Sequence, residues 1–331
     1  MPKLHLLDTP RLQPRCPSRW RLSARATALA LNCLATSAFA AADMPSIDTL
    51  KRLSVEELMD IEVISVSRYP ERLSETPSAI QVVTNNQIRR SGASSLPQAL
   101  RLAHNLNVAQ KNAHDWGITA RGFNTELANK LLVLVDGRTV YTPLYSGVFW
   151  NVQDYLLEDV DRIEVISGPG GTLWGANAVN GVINIVSKTA QDTPGLYVEG
   201  ASGSQLRGLG GVRYGGSFAP NVHFRVYGKY ADRDSEILAN GADAGDDWNH
   251  ALGGFRLDAE ATADDTLTLQ GDLYSGEQGM VGGRRSDVAG GNLLGRWSRT
   301  FTNGSDMRLQ VYYDHTYLRL PVPGDAFGIA P

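Results

Sequence analysis

Residues 161–189 read DRIEVISGPGGTLWGANAVNGVINIVSKT. The stretch is a strand, a glycine-rich turn and a second strand. Ile163 and Val165 precede the turn and Val182, Ile183, Ile185 and Val186 follow it, β-branched residues in short runs bounded by turn signals. The turn holds Gly168, Pro169, Gly170, Gly171 and Gly175, and Gly181 closes it. Glycine at that density serves either a ligand or very close backbone packing. A phosphate cradle requires a glycine, four intervening residues and then Gly-Lys-Ser/Thr. Gly175 does follow Gly170 at that distance, but Ala176 and Asn177 come next. A dinucleotide turn fails too, because Leu173 stands where the third glycine belongs. Taken alone, these residues point to a tight hairpin-like connection inside a small α/β domain.

The same stretch carries a resemblance. Arg162-Ile-Glu-Val, Gly168-Pro, Leu173-Trp-Gly-Ala-Asn-Ala and Gly181-Val-Ile-Asn-Ile resemble the end of the plug domain of TonB-dependent outer-membrane receptors. Val133-Leu-Val-Asp136-Gly137-Arg138 and Ala120-Arg-Gly-Phe123 resemble two further plug motifs, in the family's order. Several motifs in one order are more specific than any one of them. The resemblance runs from about Ile61 to the C-terminus. It implies an α/β plug domain followed by antiparallel transmembrane β-strands, an incomplete β-barrel, in a receptor rather than an enzyme.

Composition is compatible with this. The chain has 331 residues, 34 of them glycine, and 42% hydrophobic residues. No apolar run of about 18 residues lies beyond the N-terminus, so no spanning helix is expected. Barrel strands alternate, and their signal averages away in composition. Residues 1–40 read as a secretory signal: a basic segment with Arg11, Arg15, Arg19, Arg21 and Arg25, an apolar core from Ala26 to Ala38, and Ala38-Phe-Ala40 as a small-x-small cleavage site. Cys16 and Cys33 both fall there, leaving no disulfide framework or Cys metal site beyond it. Removal of the segment leaves 25 basic against 34 acidic residues, a net charge of −9. That balance argues against nucleic acid as a partner.

Residues 41–67 form an N-terminal extension. Within it Ile61, Glu62, Val63, Ile64, Ser65 and Val66 make an extended β-branched segment. It resembles the TonB box, which the TonB-ExbB-ExbD energy-coupling complex would capture by strand addition. An ordinary first strand of the plug is the alternative. The plug is expected over residues 68–190. Ala79–Thr84 is a strand candidate. Residues 85–91 and 95–103 suggest short helices, with Asn86 and Ser95 available as N-caps and Gly92 as a stop. Lys130–Val135 is a continuous apolar run ended by Asp136-Gly137, which predicts a strand buried on both faces. Two aromatic, polar loops supply candidate ligand contacts: Asp115 and Trp116 in the first, Tyr141, Tyr145 and Trp150 in the second. Their aromatics could equally pack the plug against a wall. Arg162 and Glu164 are candidate plug–barrel contacts.

From Gly195 the texture changes to period two, in about seven segments through residue 331. Val222, Phe224, Val226 and Tyr230 share one face, opposed by His223, Arg225, Tyr227 and Lys229. Met307, Leu309, Val311 and Tyr313 oppose Asp306, Arg308, Gln310 and Asp314. A soluble sandwich with a wet outer face would show the same alternation. Connection lengths favour a barrel. The links near Ala219-Pro-Asn221, Thr262–Asp264 and Thr302–Ser305 are short, while Asp232–Asp247 and Ser275–Gly290 look long and polar. Tyr214, Phe218, Tyr230, Trp297, Phe301 and Tyr317 are placed to form interfacial girdles. A barrel that holds a plug has about 22 strands. A fragment or truncated form of a longer receptor is therefore expected.

No catalytic constellation appears. His5, His104, His114, His223, His250 and His315 form no close metal-ligand pair, and no metal or cofactor is expected. Asp159, Asp161 and Glu164 flank Arg162 and read as a salt-bridged strand start rather than an acid/base pair. The resemblance implies energised uptake across the outer membrane of a scarce small ligand, such as an iron-siderophore or a cobalamin. Outer-membrane lipid would surround the strands. The alternative is a transport-dead truncated protein whose soluble periplasmic plug only binds TonB.

Overall fold

The computed structural model describes residues 62–63, 71–72, 79–122, 130–144, 146–280 and 284–320. The predicted secretory segment, Ile61, Ile64, Ser65, Val66 and Tyr145 lie outside the described residues.

Strands β1 (Glu62–Val63) and β2 (Glu71–Arg72) pair antiparallel, and Val63 is buried. β3 (Ala79–Thr84) runs straight into the helix Asn85–Ser91. Its N-cap is Thr84, not Asn86, which lies inside the helix. The extended backbone at the strand end aims the Thr84 hydroxyl at the Gln87 N–H, while the Gln87 side chain accepts the Thr84 N–H at 2.8 Å. Gly92, at φ 69°, ends the helix. Ser95 is the N-cap of the short helix Leu96–Ala99, as predicted, though its side chain makes no cap bond, and Leu96, Leu100 and Ala103 are buried.

β4 (Leu106–Gln110) and β5 (Trp116–Ala120) then form a hairpin. β6 (Leu131–Val135), β7 (Arg138–Thr139), β8 (Tyr141–Thr142) and β9 (Gly147–Val148) follow, then β10 (Val160–Ser167) and β11 (Gly181–Ser187). One mixed sheet runs in the order β3-β10-β11-β6-β7. β10 pairs antiparallel with both neighbours, and β11 runs parallel to β6. Every residue of β6 is buried, as a sheet covered on both faces requires. On one face Val133, Ile163, Val165, Ile183 and Ile185 meet Leu96, Leu100, Ile118 and Trp150. On the other, Leu132, Leu134, Ile166 and Val182 meet Ala178 and Trp174, which the glycine-rich turn folds back over the sheet.

That turn serves backbone packing. A Cβ on Gly181 would lie 2.6 Å from the Ile166 carbonyl oxygen and 3.3 Å from Leu131 Cδ1. Gly181→Ala should therefore cost about 1–3 kcal/mol through overpacking. A lowered urea midpoint for protease resistance of residues 79–190 would register it; an unchanged midpoint would count against this account of the turn.

Beyond residue 190 the chain builds a single sheet: β12 (Gly195–Ala201), β13 (Leu206–Ala219), β14 (Val222–Arg233), β15 (Trp248–Glu260), β16 (Asp265–Met280), β17 (Arg284–Thr300) and β18 (Asp306–Arg319). All seven are antiparallel and lie side by side in sequence order, with β12 and β18 at the edges. The short links fall where the sequence predicts them, and so does the long link at residues 234–247. The second expected long loop is not there. Residues 275–280 and 284–290 continue the ladder, from Ser275 opposite Ala289 to Met280 opposite Arg284. Glycine, serine and charged residues fill this extension, so it looks like a loop by composition while its backbone stays paired.

The sheet has the opposite sidedness to a soluble one. Leu196, Val198, Val212, Phe218, Leu273, Val311 and Tyr313 are exposed, while Arg213, Arg225, Lys229, Arg233, Arg256 and His250 are buried. A water-facing sandwich buries its apolar face. Here the apolar face points away from the protein and the charged face is covered by the α/β domain. Phe218 stacks on Phe224 with ring centroids 4.3 Å apart, and Trp297 donates to Asp265 at 2.9 Å.

Candidate functional site

The contact between the α/β domain and the charged face of the sheet is ionic. Asp159 ends the 3-10 turn Leu157–Asp159 that leads into β10, and its backbone position is fixed by the Asp159 N–H bond to the Leu156 carbonyl. Its carboxylate lies 2.5 Å from Arg213 on β13 and 3.7 Å from Arg225 on β14. Arg225 also donates to the Lys188 carbonyl at 2.7 Å. Lys229 donates to Asp154 at 2.7 Å and to the carbonyls of Tyr155 and Ser94 at 3.1 and 3.2 Å. Arg233 donates to Ser94 Oγ at 2.9 Å.

A second cluster centres on the β6–β7 turn. Asp136 and Gly137 sit at φ 50° and 78°, the left-handed pair that a two-residue hairpin demands. That turn presents the Asp136 carboxylate to the Ser187 N–H and hydroxyl at 2.9 and 2.8 Å, and to Gln270 of β16 at 2.9 Å. Arg296 of β17 donates to the Asp136 carbonyl, and Arg256 of β15 donates to Ser187 Oγ at 2.8 Å. Burial alone would raise the Asp136 carboxyl; the Arg256 charge and the Ser187 and Gln270 donors outweigh it and hold it below the usual carboxylate range. Arg138 reaches Asp314 on β18 at 2.5 Å and the Tyr155 hydroxyl at 3.1 Å. The Asp-Gly-Arg turn thus bridges to β16, β17 and β18.

Buried pairs of this kind fix register more than they add stability, because desolvation offsets most of the Coulomb attraction. They hold two surfaces in one relative position, and a surface held by charge can be released without exposing a hydrophobic core.

Arg162 and Glu164, predicted as contacts to the strands, bond chiefly to one another. Arg162 Nε donates to Glu164 at 2.8 Å and Nη1 lies 2.6 Å from Asp161, while Asn184 donates to Glu164 at 3.4 Å. All these partners are in the α/β domain, because residues 162 and 164 share one face of β10 at the centre of its sheet. Asp154, Asp159, Asp136 and Arg138 make side-chain bridges to the strands among the described residues. Asp115 accepts from His114 Nδ1, Asn112 and Asn151 at 2.9, 2.8 and 3.2 Å. Trp116 and Trp150 are buried in the core, where their large apolar area places them. Together with Asp115, they still border one cavity of about 200 Å³ beside Gln278 and Met280. Tyr141 lines a separate space of about 300 Å³ with Arg138, Tyr274 and Asp314. Glu62 and Val63 form β1. Among the described residues, no group of three or more His, Cys, Asp or Glu is placed to hold a metal.

A domain set by charge against the polar face of an inside-out antiparallel sheet defines a plugged barrel wall. Residues 72–182 match the family model described as TonB-dependent Receptor Plug Domain. A vitamin B12 transporter, BtuB, from Vibrio vulnificus is 31% identical over 150 residues, 45% of this chain and 24% of the relative. A ferric enterobactin receptor from Pseudomonas aeruginosa is 26% identical over 261 residues, 72% of this chain and 31% of the relative. The solved ferripyoverdine receptor of the outer membrane of Pseudomonas aeruginosa superposes with a TM-score of 0.62 at 20% identity, covering 77% of this chain and 36% of that one. The chain thus carries a TonB-dependent receptor plug domain and, among the described residues, seven strands of a partial barrel. The family comprises receptors and transporters, not enzymes. The chain spans between a quarter and a third of the length of these curated relatives.

Proposed function

We propose that the chain serves energised uptake across the outer membrane, after export by the signal in residues 1–40. A scarce small ligand binds from outside on plug loops and strand ends. The TonB-ExbB-ExbD complex captures the segment Ile61–Val66, and pulling on it loosens the plug. Work comes from that partner, so no nucleotide site is required. The relatives' names point to an iron-siderophore or a cobalamin as the ligand class. Asp115, Tyr141 and Tyr145 are assigned as ligand contacts, with Trp116 and Trp150 as the packed supports of their loops. Arg162 and Glu164 stiffen β10 within the plug.

The observation that carries this reading is the inverted sheet, greasy outside and charged against the plug. Its edge strands β12 and β18 each have one unpaired side among the described residues, which in lipid demands further strands. The working receptor is therefore a larger closed barrel of which these strands are a part. The same open edges favour the second reading, a truncated product whose plug only binds TonB. Cell fractionation separates the two. Recovery in the outer membrane with heat-modifiable gel mobility is the expected result; a soluble periplasmic protein that still crosslinks to TonB through cysteines at residues 61–66 would establish the second.

A further inference from the structure

One turn of the plug is fastened to the strands through a histidine and its neighbour. The β4–β5 connection is a tight turn in which the Asn112 side-chain oxygen accepts the N–H groups of His114 and Asp115 at 3.0 and 2.6 Å. The turn is tied to the sheet at three points. Ala113 N–H donates to Asp246 at 2.9 Å, Trp248 donates to the Ala113 carbonyl at 2.9 Å, and His114 Nε2 lies 2.9 Å from the Gly279 carbonyl on β16. On its other side, His114 Nδ1 lies 2.9 Å from Asp115 Oδ1.

Both ring nitrogens thus face acceptors. A carbonyl oxygen only accepts. The Asp115 carboxylate is already fixed as an acceptor, because Asn112 donates to Oδ2 and Asn151 donates to Oδ1. A neutral imidazole has one N–H and can satisfy only one of these neighbours. With the ring buried, the unsatisfied side would carry a desolvation penalty without a bond. We propose that His114 is held as an imidazolium, donating to Asp115 and to Gly279, and acts as a pH-dependent latch between the plug's β4–β5 turn and β16.

The surrounding charges agree. Asp115 faces the ring from its own turn and Asp246 from the 234–247 link. Further out lie Lys111 at the base of the turn and Asp247 and Glu277, both paired to Arg285. Burial works against the charged ring, but the Asp115 bond and charge, the Gly279 carbonyl and Asp246 raise its pKa above the ordinary histidine value. The closed turn therefore binds a proton more tightly than the open one. The latch is fully formed below about pH 6.5 and is lost as pH rises through the raised value. The inference rests on geometry and not on transport, so its failure would leave the uptake reading standing.

The test is nitrogen NMR of the full chain labelled at histidine, paired with hydrogen exchange at the Ala113 amide. At pH 6.5 most His114 rings should carry both protons, with a midpoint above the usual value. Once the intrinsic rate is divided out, opening at Ala113 should grow by up to about tenfold per pH unit between the open-turn and closed-turn values. His114→Gln should remove that slope, and Asp115→Asn should lower the midpoint. A His114 midpoint at or below the ordinary histidine value, or Ala113 protection flat across the range in the wild-type chain, would overturn the proposal. The wild-type spectra decide it even where a variant folds poorly.

Discussion

Asp159→Ala should lower the stability of the plug against the strands by about 3–5 kcal/mol, the cost of stripping a buried ion cluster of its counter-charge. Arg213 and Arg225 both face this carboxylate, and the side chains of Asp159, Arg213 and Arg225 are only 7%, 9% and 6% exposed. Removing the acid leaves two guanidinium groups inside a nearly dry interface. The Lys188 carbonyl satisfies part of Arg225 but cannot neutralise it. Asp161→Ala is the matched control. Its carboxylate is 46% exposed beside Arg162, so it should cost no more than about 1 kcal/mol. Urea titration with protease cutting inside residues 79–190 as readout separates the two. Equal losses would mean that the clamp contributes no more than a surface pair.

Leu269→Arg should be costly for the opposite reason. Leu269 lies on the outward face of β16, 41% exposed, between Gln270 and Thr268, which face the plug. In a soluble sheet an arginine there would be tolerated. In a bilayer it should destabilise the folded sheet by about 2–4 kcal/mol, less if the position lies near an interface. Folding equilibria in lipid vesicles measure this directly, and a neutral substitution would argue that the outward face meets water.

Much of the fold was legible because period two survives without context. The outward set Val222, Phe224, Val226 and Tyr230 and the inward set with Arg225 and Lys229 were readable from spacing alone. The all-buried β6 was readable from its unbroken apolar run. Legibility failed where composition and pairing disagree. Residues 275–280 and 284–290 are rich in glycine and charge, yet their ladder continues, since backbone bonds need no apolar side chain. The helix cap moved from Asn86 to Thr84 because β3 runs into the helix with no intervening loop.

The site was less legible. Arg162 and Glu164 are legible as neighbouring opposite charges, and the bonds described for them join them to each other, to Asp161 and to Asn184. The bridges that hold the plug join residues far apart in sequence, such as Asp159 with Arg213 and Arg138 with Asp314. One signal was available: Arg213, Arg225, Lys229 and Arg256 all occupy the inward parity of their strands, a cationic face that calls for acids on whatever covers it. His114 carried no signal, since its meaning depends on the Gly279 carbonyl opposite.

A plugged barrel wall requires the apolar face of the seven-stranded sheet to meet lipid. Nitroxide labels placed singly at Val212, Leu269 and Val311 in reconstituted protein, and at Thr268 and Gln270 as inward controls, report this by collision with oxygen or with a water-soluble nickel complex. The outward labels should collide with oxygen and be shielded from nickel, while the inward labels should be shielded from oxygen. Nickel access at Val212, Leu269 and Val311 would contradict the plugged-wall architecture and the uptake function proposed on it.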